Sequence, residues 1–157
     1  MKKTNFLNKL NKEGKLELVE PSEEMKQSFI LKSESNIVSS KILLNNDKLE
    51  ESVGLAYYSM YHLLTALLFK TGIKSENHSA SIILLKGVFG QDNKDIFEAK
   101  TERLDKQYYV DFVITKKDVE DTIRKAEIFN NKMIDFISKV NNEDIKNYRK
   151  IFSQHLK

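Results

Sequence analysis

The sequence contains no cysteine and no tryptophan, a single proline and five glycines among its 157 residues. The absence of cysteine excludes disulfides and thiol chemistry. So few prolines and glycines, with charged residues throughout, favour helices joined by short turns over a β-rich fold. No uncharged apolar run reaches the roughly 18 residues that cross a bilayer, and the N-terminal residues lack the apolar core of a signal peptide. We therefore expect a cytoplasmic, all-α protein that does not associate with membranes.

The sequence also lacks a large excess of either charge, since it has 26 basic and 23 acidic residues and a net charge of +3. This balance is too even to require a nucleic-acid partner. Only three of the basic residues are arginines, Arg103, Arg124 and Arg149. Each is therefore a candidate for binding phosphate or carboxylate through its planar guanidinium. The length fits one self-sufficient core, so we expect a single domain over residues 1–157.

Motifs for metals and for phosphate-binding loops are missing. The sequence has no His-x-x-x-His pair and no Glu-x-x-His pair of the kind that di-iron bundles use. Neither GxGxxG nor the P-loop pattern occurs, and there is no Gly-x-Ser-x-Gly elbow. We expect no metal, no cofactor, and neither a self-contained NTPase nor a serine hydrolase.

The segment 55–69 is apolar or aromatic on nearly every helical face, so it should run through the centre of a helical bundle. Asp47 and Glu50 have the spacing of a capping box and predict where this helix begins. Gly72 predicts its end near Thr71.

The preceding residues form an N-terminal arm, 1–20, and then a helix. Ser22 should cap that helix, which we expect to run to about Leu44. The small side chains of Ser33 and Ser40 interrupt its apolar face and should let a neighbouring helix approach closely.

After the central helix, a third helix should open near Ser75 or Asn77 with His78 in its first turn. Asp92 should cap a fourth helix. Its inward residues are predicted to be Ile96, Phe97 and Leu104.

The segment 103–114 is strand-like in composition but has no partner strand, so we expect an extended connection. Thr115 and Asp118 predict the capped start of a long fifth helix, and a break at Asn141 precedes a short C-terminal helix. The expected fold is an up-and-down bundle of about five helices with this short helix added.

Arg149 and His155 have a separation that would suit an arginine binding phosphate and a histidine moving a proton. Positions six apart, however, lie about 240° round a helix. Both residues also lie in a C-terminal segment that is expected to fray. Solvated surface residues are therefore the favoured interpretation.

Arg103 lies at the end of the fourth helix, just before Tyr108 and Tyr109, where it could pair with a buried acid or with phosphate. His62 should be a hydrogen-bonded core or interface residue. His78 could cap its helix or hydrogen-bond locally. The hydroxyls of Tyr57, Tyr58 and Tyr61 would suit either helix–helix hydrogen bonds or a polar site for a base or phosphate.

Taken together, several pieces of the chain resemble the HEPN family, in particular its prokaryotic small-protein branch. The pieces are Ala56-Tyr-Tyr-Ser-Met-Tyr-His62, Ala66-Leu-Leu68, Gly72, His78, and Arg103 through Tyr109. The resemblance implies a bundle of about five helices that commonly forms a dimer. It also implies a gene beside a minimal nucleotidyltransferase, with which such proteins often form a toxin–antitoxin or nucleotide-related module.

Many HEPN proteins are ribonucleases whose arginine and histidine, about four to six residues apart, meet their copies across the dimer. Arg103 best matches that arginine, but five and six residues further on stand Tyr108 and Tyr109. A tyrosine with its ordinary pKa near 10 is a poor general base at neutral pH. The absence of a histidine at these positions predicts that the chain lacks the general base that the family's ribonucleases use.

The leading hypothesis is a HEPN-like protein that binds a nucleotide, RNA or a nucleotidyltransferase partner, without full ribonuclease activity. Its binding residues would be Arg103, Tyr108, Tyr109, His78 and Tyr58. One alternative is a metal-independent ribonuclease toxin. Another is a purely structural subunit of a homodimer.

Overall fold

A computed structural model describes residues 2–108 and 113–156, together with their side chains except those of residues 104–108. The described residues form seven helices and one two-stranded sheet, so the all-α prediction is confirmed. The elements are α1 (Lys2–Lys12), β1 (Leu16–Leu18), α2 (Glu23–Asn45), α3 (Leu49–Thr71), β2 (Ile73–Ser75), α4 (His78–Gly87), α5 (Lys94–Tyr108), α6 (Lys116–Lys139) and α7 (Asn142–His155).

Helix α3 is the axis of the bundle, as its sequence predicts, and packs against α2, α4, α5, α6 and α7. Tyr57, Leu63, Leu64 and Leu67 are completely inaccessible to solvent. Among the helices of the described residues, α3 alone is long and apolar enough to cross a bilayer, and 72% of its most apolar window is buried. Such burial is that of a core helix inside a folded domain.

Helices α2 and α3 approach closely through serines, which confirms the predicted role of Ser33 and Ser40. Ser40 Oγ donates to the carbonyl of Ser52 at 2.7 Å, and Ser52 Oγ donates back to the carbonyl of Ser40 at 2.7 Å. Ser33 Oγ donates to the carbonyl of Ser59 at 2.6 Å. These hydroxyls are buried but satisfied, so the contact needs no water.

Most predicted helix ends are confirmed. The side chains of Ser22 and Asn77 cap α2 and α4. Thr115 and Asp118 form the predicted reciprocal capping box at the start of α6. Gly72 ends α3 in the left-handed conformation, with φ of 71°.

The capping box expected at Asp47 is wrong. Lys48 occupies the N-cap of α3 and makes no side-chain capping hydrogen bond. Asp47 instead turns the chain with φ of 58°, a left-handed conformation that aspartate tolerates better than most residues. The connection from α2 is so short that this residue forms the turn rather than the cap.

The N-terminal arm is more ordered than the sequence predicts, because it contains α1 and β1. Leu7 and Leu10 of α1 are buried, and Leu16 of β1 is fully enclosed. Strand β1 pairs antiparallel with β2, with Leu16 opposite Ser75. The surrounding lysines conceal this amphipathic pattern in the sequence.

Two expectations for the fourth helix are wrong. Helix α5 continues to Tyr108, through the first part of the segment expected to be extended. Once a helix is nucleated, each added residue gains a hydrogen bond, and this outweighs a weak local preference for strand. Phe97, predicted to point inward, is 59% exposed, whereas its neighbour Ile96 is fully buried. Residues 109–112 of the predicted connection lie outside the described part.

Arg149 joins the N-terminal segment to the end of α3. Its Nη1 donates to the carbonyls of Val19 at 2.7 Å, Gly72 at 2.8 Å and Thr71 at 3.1 Å. A Cβ on Gly72 would collide with this guanidinium and with the carbonyl of Val19. Gly72 is therefore required both by its backbone conformation and by this close approach.

We predict that Gly72→Ala destabilises the fold far more than Gly14→Ala. Gly14 has a similar φ of 68°, but a Cβ there would meet nothing within 4 Å. The left-handed backbone alone should cost each variant about 1–2 kcal/mol. Collisions with the backbone of Val19 and Pro21, and with the Arg149 guanidinium, should add about 1–3 kcal/mol for Gly72→Ala only. Urea unfolding measures both, and equal losses would contradict the close approach of the chain at Gly72.

Candidate functional site

Four ring side chains of α3 form two adjacent pairs along the helix. Tyr57 and Tyr61 are one helical turn apart, as are Tyr58 and His62, so each pair shares a face. The ring centroids of Tyr57 and Tyr61 lie 6.0 Å apart, and those of Tyr58 and His62 lie 5.9 Å apart. With His78, these residues are called the aromatic cluster below.

His78 is the first residue of α4 and joins the aromatic cluster from outside α3. Its ring stacks on Tyr61 with a centroid distance of 3.7 Å and an interplanar angle of 17°. Its Nδ1 lies 2.8 Å from the hydroxyl oxygen of Tyr57. The cap of α4 is Asn77, so His78 is held by the aromatic cluster and does not cap its helix.

Arg103 reaches the same cluster from α5. Its guanidinium carbon lies 4.8 Å from the centre of the Tyr58 ring and 5.5 Å from that of Tyr57. These are cation–π distances. Nε of Arg103 is buried and has no hydrogen-bond partner among the described residues. Contacts with the two tyrosine rings thus position the guanidinium, and no carboxylate among the described side chains forms an ion pair with it.

The two histidines of the cluster, and Tyr57 and Tyr61, are neutral near pH 7. Burial lowers the pKa of His78, and the charges of Arg103 and Lys100 lower this pKa further. Burial also lowers the pKa of His62, with a smaller contribution from Lys32. The positive charge at the site therefore comes from Arg103 and Lys100. The pKa of Tyr57 is raised by burial, so its hydroxyl keeps its proton.

The structure brings together Arg103, His78 and Tyr58 of the predicted site residues. The side chain of Tyr108 and all of Tyr109 lie outside the described part of the chain. The role of all five in binding stays a prediction. Sequence reasoning did not identify Tyr57 as the hydrogen-bond partner of His78, because nothing in the sequence connects the two residues.

The other arginine–histidine pair serves packing. Arg149 donates to three backbone carbonyls, as described above. His155 Nε2 lies 2.7 Å from the carbonyl of Gly87. Both residues line a cavity of about 260 Å³, together with Lys3 and Lys86. Because a carbonyl only accepts, Nε2 of His155 carries a proton and donates it, which joins α7 to the end of α4.

The described residues contain no group of three or more histidines, aspartates or glutamates that could hold a metal ion. The groups available to a ligand at the aromatic cluster are the Arg103 cation and the hydrogen-bonding atoms of its tyrosines and histidines.

Comparisons with known proteins agree with this architecture. The HEPN domain model matches residues 26–137. A UPF0332 protein of Thermotoga maritima is 29% identical over 113 residues, covering 68% of this chain and 82% of that protein. A protein of Methanocaldococcus jannaschii named "Putative toxin MJ0605" is 28% identical over 110 residues, covering 66% and 81%. A UPF0332 protein of Pyrococcus horikoshii is 44% identical over 50 residues, covering 32% of this chain and 35% of that protein.

We predict that the stability of the fold falls as the pH drops below about 6.5. His62 and His78 have folded pKa values below the ordinary value of 6.5, so the unfolded chain binds more protons in this range. Their contribution is complete above pH 6.5 and is lost as the pH falls towards the folded pKa values. Urea unfolding from pH 8 to pH 5.5 measures this slope.

The double variant His62→Gln/His78→Gln is the comparison for that measurement. It should be less stable at pH 8, because Tyr57 loses His78 and Asn36 Oδ1 loses the Nδ1 of His62, which lies 2.6 Å away. Its stability should depend less on pH between 7 and 5.5. An unchanged slope in the double variant would show that other groups cause the acid sensitivity.

Proposed function

The chain belongs to the HEPN domain family, and from this premise we propose that Arg103 and the aromatic cluster bind a phosphate group of a nucleotide or RNA. One observation carries the proposal. The guanidinium of Arg103 rests on two tyrosine rings, and its buried Nε has no hydrogen-bond partner among the described residues. A structural arginine of a folded core normally has its donors paired.

Phosphate is the ligand that suits this arrangement. A guanidinium presents parallel N–H donors that match two phosphate oxygens, and such charge-assisted hydrogen bonds are stronger than neutral ones. Partial burial against Tyr58 weakens screening by water and so strengthens the attraction. Lys100 adds a second positive charge near His78. The tyrosine rings also offer faces on which a nucleobase could stack.

The residue pattern supports binding rather than full ribonuclease activity. The positions five and six residues after Arg103 carry Tyr108 and Tyr109 in place of the histidine that the family's nucleases use. A neutral tyrosine does not accept a proton readily at pH 7. This supports a protein that holds its ligand without cleaving it.

The relatives support a place in a toxin–antitoxin module. Two Methanocaldococcus jannaschii proteins with "toxin" in their names align with about two thirds of this chain. We extend that role to this protein as part of the proposal, with a nucleotidyltransferase as its protein partner. Co-purification with the product of an adjacent nucleotidyltransferase gene would support the partnership.

We also propose that the protein is a homodimer. Leu31, Val38 and Ile42 follow one face of α2 and are each 56% exposed. Three aliphatic side chains in one exposed stripe are characteristic of an interaction surface. The purely structural alternative rests on this surface alone and predicts no nucleotide binding.

We predict that Arg103→Gln weakens binding of adenosine 5′-monophosphate and of a short RNA about ten- to a hundredfold. This range follows from losing a hydrogen-bonded charge worth about 1.5–3 kcal/mol. Arg103→Lys should recover only part of the affinity, since lysine keeps the charge but not the planar fork. Isothermal titration calorimetry measures both.

Arg124→Gln is the matched control, because Arg124 is an exposed arginine paired with Asp121 at 3.4 Å. It should bind both probes as the wild type does. Unchanged binding in Arg103→Gln would refute this site. Cleavage of the RNA in metal-free buffer, abolished by Arg103→Gln, would instead support the ribonuclease alternative.

The dimer proposal predicts that light scattering gives about twice the chain mass of 18.3 kDa. Val38→Glu should shift the protein to monomers, because a carboxylate would be desolvated in the interface. Phe97→Glu, on the exposed side of α5, should leave the mass unchanged. A wild-type monomer, or a dimer insensitive to Val38→Glu, would contradict the assignment.

A further inference from the structure

The buried hydroxyl of Tyr57 determines which nitrogen of His78 carries the proton. Tyr57 is fully buried, and its hydroxyl has His78 Nδ1 as its hydrogen-bond partner at 2.8 Å. A buried O–H that fails to donate loses a full hydrogen bond, so it donates to Nδ1. Neutral His78 must then carry its proton on Nε2. This nitrogen is a donor.

The side chain of Asn36 has the opposite effect on His62. Nδ1 of His62 lies 2.6 Å from Asn36 Oδ1. An amide oxygen can only accept, so Nδ1 of His62 carries the proton and donates it. Nε2 of His62 therefore keeps its lone pair. This nitrogen is an acceptor.

Both histidines lie near the Tyr58 ring, whose centroid is 5.9 Å from His62 and 6.2 Å from His78. Nε2 of neither histidine has a hydrogen-bond partner among the described residues. The guanidinium of Arg103 contacts the Tyr58 ring as well, and its charge acts on His78. Tyr58 is thus a neighbour that His62, His78 and Arg103 share.

We propose that Tyr57 and Asn36 hold the two histidines in opposite neutral tautomers, which makes the site selective for a ribose phosphate. In this arrangement Arg103 and His78 Nε2–H donate to the anionic phosphate, and His62 Nε2 accepts from a ribose hydroxyl. The inference rests on the proposed phosphate-binding function and adds the sugar to it. Tyr57 and Asn36 are positioning residues.

Inorganic phosphate can engage Arg103 and His78 but brings no ribose hydroxyl to the His62 acceptor. A nucleotide without ribose hydroxyls leaves it unused as well. A site that hydrogen-bonds a ligand hydroxyl discriminates against the analogue that lacks it, since its polar group then loses a partner. The arrangement therefore predicts preference for ribonucleotides over dideoxynucleotides.

The tautomers can be measured without any ligand, by ¹H–¹⁵N correlation NMR of the imidazole rings at pH 7.5. We expect His78 as the Nε2–H form and His62 as the Nδ1–H form. His155 is an internal reference for the Nε2–H form, because its Nε2 lies 2.7 Å from a backbone carbonyl. Tyr57→Phe should change the spectrum of His78 only, and Asn36→Leu that of His62 only. Finding His62 and His78 in the same tautomer would overturn the proposal.

Binding then tests the consequence for the ligand. Wild-type protein should bind adenosine 5′-monophosphate about two- to tenfold more tightly than 2′,3′-dideoxyadenosine 5′-monophosphate. This ratio should fall to about one in Asn36→Leu and in His62→Phe, while Arg103→Gln should weaken both nucleotides. Tighter binding of a short RNA than of adenosine 5′-monophosphate would identify a polynucleotide ligand. In that case DNA of the same sequence, which lacks the 2′-hydroxyl, should bind less tightly than the RNA.

The results separate this inference from the function on which it rests. Equal binding of the two nucleotides by the wild type, or a ratio that survives in both Asn36→Leu and His62→Phe, overturns the ribose assignment but leaves phosphate binding intact. If neither nucleotide nor RNA binds, the proposed function fails and the ribose assignment fails with it. The NMR spectra decide the tautomers in every case.

Discussion

The structure depends on the enclosure of α3. This helix is surrounded by other elements over most of its length, so each polar group on it must find a partner inside the protein. The hydroxyl of Ser59 receives a hydrogen bond from Asn130 Nδ2 at 3.0 Å, across to α6. Lys70 extends its ammonium to the carbonyl of Ile137 at 2.7 Å, where α6 ends and carbonyls lack helical partners. The internal partners of α3 thus fix how α2 and α6 are placed around it.

The same constraint produces the candidate site. Tyr57 is too deeply buried for its hydroxyl to reach water, and the partner that it finds is the first residue of α4. His78 is therefore held by packing and a hydrogen bond rather than by charge. Arg103 of α5 is likewise positioned by its contacts with the rings of Tyr57 and Tyr58. A rigid core helix thus presents one cation and two neutral histidines around a single tyrosine, which is the kind of support that a precise binding site needs.

Family membership and activity are separate questions in this protein. The HEPN domain model covers the central helices, which carry the fold. The match to that model does not define which side chains would carry a reaction, and in this chain Arg103 is followed by Tyr108 and Tyr109 rather than by a histidine. The histidines of this site come from α3 and α4 instead. A fold can persist while individual site residues differ between relatives, because the fold by itself does not fix the function.

The sequence alone determined the all-α class, the central position of α3, the serine contact with α2 and the caps of α2, α4 and α6. Each of these depends on local periodicity or on residues three or four apart, which a single sequence displays. It also pointed to Arg103, His78 and Tyr58, although not to their arrangement. The tertiary structure decided the pairing of β1 with β2, the helix in the N-terminal arm, the exposure of Phe97 and the hydrogen bond between Tyr57 and His78. Those features join residues distant in the chain or depend on which face a neighbour covers, and no local pattern encodes that.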